Sequence, residues 1–248
     1  MNRTFILKVL SCFCLVILHA VLLHNDAMAD WLLLLHADGG GKLSRDWAAK
    51  VETEFKFREN MSEFYDLEAM PWFSYSPTEW FTLGLGWREL YCRQDVEFYG
   101  RQTLESSDQT TYQRLSDHYW QAEHRPLIDF IFKAVPDSWT LEDRLRTELR
   151  MLEIKDPFFR LRNRVKLLPP WKWTKAEIQL WAAWEAYFEF NPDIEWSDRL
   201  TRNRFFAGVG MKATSNLKFG LYYYWEVAIL SKKEKYNNEI GFGPSLVF

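Results

Sequence analysis

From Phe158 to Leu168 the chain sets apolar Phe159, Leu161, Val165 and Leu167 against cationic Arg160, Arg162, Arg164 and Lys166, turn and turn about. In a β-strand successive side chains point to opposite faces, so the four cations share one face. A helix would scatter both sets around its circumference. The pattern recurs downstream, where Ile178, Leu180, Ala182, Trp184, Ala186, Phe188 and Phe190 alternate with Glu177, Gln179, Trp181, Glu185, Tyr187 and Glu189. Upstream, Leu141, Leu145, Thr147, Leu149 and Met151 alternate with Glu142, Arg144, Arg146, Glu148 and Arg150. Earlier still, Trp120, Ala122, Ile128, Phe130, Phe132 and Ala134 alternate with Gln121, Glu123, Arg125, Asp129 and Lys133. Strands that are greasy on one face and charged on the other need a matching solvent on each side. A transmembrane β-barrel supplies both, lipid outside and a polar lumen inside. The competing arrangement is a soluble periplasmic lipocalin-like barrel with its apolar face inward. Segments of about 10 to 15 residues exceed the usual soluble strand of roughly 5 or 6, and such a core would hold an unusual number of Trp and Phe.

Turn chemistry divides the chain into segments near 47–58, 62–70, 79–91, 119–134, 139–152, 158–168, 175–190, 199–212, 216–230 and 238–248. The breaks fall at Pro71, Val135–Ser138, Lys155–Pro157, Pro169-Pro170, Asn191–Asp193, Ala213–Asn216 and Lys232–Lys235. The pattern predicts an all-β fold, a transmembrane antiparallel barrel of about ten strands over 47–248, with eight or twelve as alternatives. Ten is even, as bacterial single-chain barrels require. Both chain ends then share the periplasmic side, and the longest connection, Arg93–His118, faces outward. Pro126 and Pro244 fall inside strands, where proline cannot donate to the ladder, and point to a bulge at each. Residues 30–46 match neither a strand nor an ordinary linker: Trp31 leads four leucines, and Gly39-Gly40-Gly41 follows shortly after. They are expected to form an N-terminal periplasmic segment.

The two ends of the chain carry sorting chemistry. Arg3 and Lys8 precede an apolar run from Val9 to Leu23, and Ala27 and Ala29 supply the small residues that a signal peptidase reads. This is the layout of a secretory signal peptide over 1–29, cleaved after Ala29. A lipoprotein reading through Cys12 leaves too short an apolar stretch after Lys8. At the other end Ile240, Phe242, Leu246 and Phe248 alternate with Gly241, Gly243 and Ser245. Phe242, Leu246 and Phe248 resemble the C-terminal strand that outer-membrane barrels present to the barrel-assembly machinery. The expected location is the bacterial outer membrane, with its lipid and that machinery as partners.

Composition sharpens this picture. Thirteen Trp, 11 Tyr and 19 Phe suit aromatic girdles at two membrane interfaces. A net charge of −3 implies no polyanion partner, and no nucleic-acid motif appears. Of three cysteines, Cys12 and Cys14 lie in the signal segment, so Cys92 has no partner for a disulfide in the mature chain. It is expected at a strand end. The sequence points to no cofactor and no metal.

Four stretches resemble an uncharacterised outer-membrane family, domain of unknown function 2490. They are Arg144–Arg150, the arginine ladder Phe159–Lys166, Trp184–Phe190, and Arg202–Lys212 with Arg202, Arg204, Gly208 and Gly210. Trp47 matches the family's usual beginning, so the resemblance covers about 47–248. It implies an outer-membrane barrel and brings no activity or catalytic residue.

The chemistry the chain offers is therefore a charged lumen. Arg144, Arg146, Arg150, Arg160, Arg162 and Arg164, with Arg202 and Arg204, face the same interior as Glu148, Glu177, Glu185 and Glu189. Such charges either line a small-solute channel or neutralise one another in cross-strand pairs. At about ten strands the interior is only somewhat wider than one that side chains fill, so a mostly filled, charge-paired lumen is expected. Arg146, Arg162 and Arg164 are expected to pair with Glu148, Glu177 and Glu185. Gly84, Gly86, Gly208, Gly210, Gly220, Gly241 and Gly243 fall on inward positions and either ease tight curvature or make room for bulky neighbours such as Tyr222, Tyr224 or Phe206. A lipid-active enzyme, an acyl hydrolase or transferase, is the alternative. Ser116-Asp117-His118 holds the residue types, but adjacent positions cannot form a triad, whose members must meet at defined distances. No catalytic residue is assigned.

Overall fold

The computed structural model describes residues 31–58, 62–103, 110–153, 155–191, 199–230 and 233–247. The signal segment with Ala27 and Ala29, the terminal Phe248, and the side chains of 94–119 and 229–239 lie outside the described residues. Eleven strands are described: β1 (Trp31–Lys42), β2 (Trp47–Arg58), β3 (Glu63–Tyr75), β4 (Phe81–Thr103), β5 (Thr110–Ala134), β6 (Thr140–Leu152), β7 (Lys155–Leu168), β8 (Gln179–Phe190), β9 (Leu200–Lys212), β10 (Leu217–Leu230) and β11 (Lys233–Val247). Each pairs antiparallel with its sequence neighbours, and β1 closes the barrel against β11 in parallel.

The count is eleven, not ten. The additional strand is Trp31–Lys42, expected as a periplasmic segment and found instead as part of the wall. Its alternation is invisible because leucines occupy both faces: Leu32 and Leu34 line the interior, while Leu35 is exposed. Its glycines have a packing reason, since a Cβ on Gly40 would stand 2.4 Å from the Ala49 carbonyl oxygen. An up-and-down chain with an odd number of strands must close in parallel. β1 therefore starts at one end of the barrel and β11 finishes at the other, which overturns the expectation that both ends share a side.

Several boundaries move for local reasons. Pro71 is not a turn but lies inside β3, and the turn falls at 76–80. Lys155–Pro157 belongs to β7, and Lys233–Lys235 to β11. The expected long connection from Arg93 to His118 is mostly strand, because β4 and β5 continue pairing from Arg93 opposite Trp120 up to Thr103 opposite Thr110. Pro126 and Pro244 mark gaps rather than bulges. The β5–β6 pairing lapses at Arg125–Pro126 and resumes in the same register, and the β1–β11 pairing lapses likewise at Gly243–Pro244. Proline removes the donor without adding a residue. The register shifts lie elsewhere, at Lys56–Phe57, Arg150–Leu152 and Tyr187–Phe188.

The two faces separate as the alternation requires. Outward Phe73, Leu85, Ile128, Phe130, Phe159, Phe205 and Leu221 are exposed. Inward Asp129, Arg146, Glu148 and Glu185 are each at most 2 % exposed. Inward aromatics rest on glycines of the next strand. A Cβ at Gly84 would collide with Trp72 at 2.6 Å, one at Gly208 with Trp181 at 2.4 Å, and one at Gly241 with Tyr222 at 2.1 Å. Gly220 meets nothing within 4 Å and Gly210 nothing closer than 3.9 Å, so neither makes such room. Cys92 sits inside β4 rather than at a strand end, half-buried on the lumen side.

Candidate functional site: the charged lumen

Three tiers of charge cross the interior. In the middle tier Arg146 Nε and Nη2 donate to both oxygens of Asp129 at 2.7 Å, and Trp72 Nε1 donates to Oδ2 at 3.1 Å. Arg162 Nη1 donates to Glu148 at 2.8 Å, while its Nη2 reaches Glu185 at 3.1 Å. Glu185 also accepts from Arg144 at 3.0 Å and from the Tyr187 hydroxyl at 2.7 Å. Arg144 lies on β6 and Glu185 on β8, so this bond passes over β7.

Near the β6–β7 hairpin, Arg125 grips Glu123 through two bonds of 2.7 Å, and Arg150 joins the same carboxylate. Glu189 takes Arg160 at 2.9 Å and Arg150 at 3.3 Å. Across the barrel, Lys56 pairs with Glu68 and lies 3.4 Å from Asp66, and Arg88 lies 2.8 Å from Glu68. Glu226 holds Arg204 and, at 3.4 Å, Arg202. The Tyr187 ring is the hub, with the Arg162 and Arg204 guanidinium carbons 4.7 and 5.0 Å from its centroid. Charges so far from water persist only when paired and hydrogen-bonded.

The third tier is sparser. Arg144 stands directly opposite Arg164, and Glu142 opposite Lys166. Arg164 comes no closer than 3.9 Å to Glu142, and Lys166 lies 4.7 Å over the Trp181 ring. A cavity of about 740 Å³ runs through all three tiers and is lined by side chains of β1 through β10. Beside it, part of the interior between β3 and β5 is filled by Met70, Trp72 and Leu127, with Ile131 packed against them.

The arginine ladder and its acids meet in the interior, and two placements differ from the expected ones. The main partner of Arg146 is Asp129, and Glu148 stands 3.9 Å away. Glu177 is not in the lumen at all. It occupies the β7–β8 connection at positive φ, where Lys172 bonds it at 2.8 Å and Lys212 at 3.3 Å. Those two ammonium groups, Lys172 first, hold its carboxyl below the usual carboxylate range. The network also recruits Glu123, Arg125, Tyr187 and Glu226. Tyr187 and Glu226 alternate with apolar neighbours, and Glu123 and Arg125 share the inward period of Gln121 and Asp129 on β5; their partners depend on strand register. Phe242 and Leu246 are exposed on the outer face, with Phe242 stacked on Phe219 at 6.1 Å. His124 faces outward and pairs with Glu89, whose other oxygen accepts from Trp87. Ser116, Asp117 and His118 lie where side chains are outside the described residues.

A family model described as "Protein of unknown function (DUF2490)" matches residues 33–237. The chain belongs to that family. The DUF2490 match begins within β1, well before Trp47, and ends within β11. The barrel is also similar to the crystal structure of the β domain of the Bordetella autotransporter Brka. The identity is 14 %, the TM-score 0.49, and the alignment covers 82 % of this chain and 83 % of that one. No curated protein matches this DUF2490 member.

Proposed function

We propose that this DUF2490 protein is an outer-membrane β-barrel whose lumen is a charge-paired chamber for small polar solutes rather than a wide pore. The observation that carries this reading is the inverted distribution of polarity. Large apolar side chains stand exposed around the outside, while Asp129, Arg146, Glu148 and Glu185 are sealed inside. Water on the outside would reward the opposite arrangement, and hydrocarbon rewards this one. The signal-peptide layout of 1–29 and the outward Phe242 and Leu246 of β11 agree with export and assembly. In the orientation we favour, the connections 43–46, 76–80, 135–139, 169–178 and 213–216 face the periplasm and the tall β4–β5 hairpin faces outward, as the long extracellular loops of such barrels do.

The test joins location with conductance. Cell fractionation should place the protein in the outer membrane, and the folded form should migrate differently on gels before and after boiling. Refolded into planar bilayers, it should show little stepwise conductance, because carboxylate–guanidinium pairs occupy the lumen. Recovery as a soluble periplasmic species would overturn the membrane assignment. Large, anion-selective steps would overturn the chamber.

A further inference from the structure

We infer that Arg144, Arg164 and Lys166 form a binding site for a small soluble oxyanion of the phosphate class. The inference rests on reading the barrel interior as a solute chamber. These three cations occupy successive inward positions on two adjacent strands, with Arg144 and Arg164 directly opposed. Adjacent strands lie about 4.8 Å apart, so one tetrahedral anion can touch all three.

Their shortage of partners is the decisive feature. Arg144 is 9 % exposed; among the described residues its one carboxylate contact is the Glu185 oxygen it shares with Arg162, and its Nε has no hydrogen-bond acceptor. Arg164 Nε likewise lacks an acceptor among the described residues, and its nearest carboxylate there is Glu142 at 3.9 Å. Among the described residues Lys166 has no carboxylate within 4.0 Å, and its ammonium rests on Trp181. The contrast with the middle tier is sharp, because there Arg146 holds both oxygens of its own carboxylate. Opposed like charges in a partly dry site repel, and an entering anion converts that repulsion into charge-assisted hydrogen bonds.

Access and shape agree. All three residues line the cavity, and the Arg164 side chain is 29 % exposed, so an ion can arrive from solution. The strand wall separates the site from the outer face, which excludes a bilayer headgroup as the source. Trp181 is pinned against Gly208, where a Cβ would stand 2.4 Å from its ring. It therefore gives Lys166 a fixed floor, and Lys166 stays aimed beside the two guanidinium groups.

The experiment measures binding of inorganic phosphate by calorimetry to the refolded full barrel in detergent, with sodium chloride held at matched ionic strength. Wild-type protein should bind phosphate saturably at one site, and phosphate should raise the temperature at which the folded gel form disappears. Arg164→Gln and Lys166→Gln should each weaken binding about tenfold or more, the loss of one hydrogen bond between charged groups. Arg164→Lys should recover part of it, and Lys172→Gln, in the exposed turn, should bind as wild type does. Each variant is first shown to be folded by its heat-modifiable mobility. Chloride matching phosphate in wild type, or unchanged phosphate binding in both glutamine variants, would overturn the site. Because binding is read in detergent, its failure is distinct from a failure of the outer-membrane assignment.

Discussion

At Asp129 one carboxylate takes both arms of the Arg146 guanidinium and the indole N–H of Trp72, all of them buried. Removing one partner from such a pair leaves an uncompensated charge, which costs about 3–5 kcal/mol, whereas removing both costs much less. Arg146→Met should therefore destabilise the barrel by about that amount, and Arg146→Met with Asp129→Asn should recover most of it. Urea titrations read by gel mobility would check this, and strict additivity would refute it. A second cycle on Arg162 with Glu148, 2.8 Å apart, should show favourable coupling of about 1 kcal/mol or more. Asp129, Arg146, Glu148 and Arg162 occupy the inward face that the period-two alternation assigns them, whereas Trp72 lay beyond the segment read as ending at residue 70. The sequence did not say that Asp129 rather than Glu148 is the main partner of Arg146. That choice depends on how the β5–β6 connection sets the register, which brings Asp129 directly opposite Arg146.

Among elements, the β7–β8 connection shows how a residue leaves its expected face. Glu177 continues the alternation of β8 in sequence, yet Thr174 and Glu177 take positive φ and turn the chain before the barrel strand begins. Trp173 and Ile178 bridge the connection, and the Lys212 amide donates to Ala176 at 2.7 Å. The two lysines that depress the Glu177 carboxyl reach it from opposite sides, Lys172 within the connection and Lys212 at the end of β9. A folded value below the unfolded one means that this clasp contributes fully above the ordinary carboxylate range. Its contribution is lost as the pH falls through the depressed value. Protection of the Lys212 amide, normalised for intrinsic exchange, should accordingly be greater near neutral pH than in strong acid. Glu177→Gln should remove that pH dependence, and an unchanged profile in the variant would show that the clasp is not what holds the turn. Elsewhere, two-faced strands were legible to within a few residues wherever charge marked one face. Legibility failed at β1, with leucines on both faces, and along the upper β4–β5 hairpin, whose polar residues read as a loop.

For the whole molecule, the odd strand count is the feature from which the rest of the topology follows. Bacterial single-chain barrels are built with even numbers and antiparallel closure, and the charged alternation from Trp47 onward alone supports ten strands. Ten could close by pairing β2 with β11 antiparallel. The structure instead inserts β1, which pairs with β2 along most of its length and with β11 in parallel. The seam is tight and imperfect. A Cβ at Gly243 would stand 1.6 Å from the His36 carbonyl oxygen, and the ladder lapses beside Pro244. Ser245 Oγ donates to Asp38 at 2.7 Å and anchors the far side of that gap. Open strand edges in hydrocarbon are prohibitively costly, so β1 must stay in the seam if eleven strands span the membrane. The two closures make different demands on residues 35 and 242, which face each other across β1 and β11. Disulfides need Cα atoms about 4.4–6.8 Å apart, and directly paired residues satisfy that. With Cys92→Ser removing the native thiol, Leu35→Cys and Phe242→Cys should oxidise to an intramolecular disulfide in the folded barrel. Leu35→Cys with Ile240→Cys, displaced by two residues along β11, should oxidise far more slowly. Equal oxidation of the two pairs would mean that β1 is not held in this register. Failure of both, in a barrel that still folds, would favour a ten-stranded wall with β1 outside it.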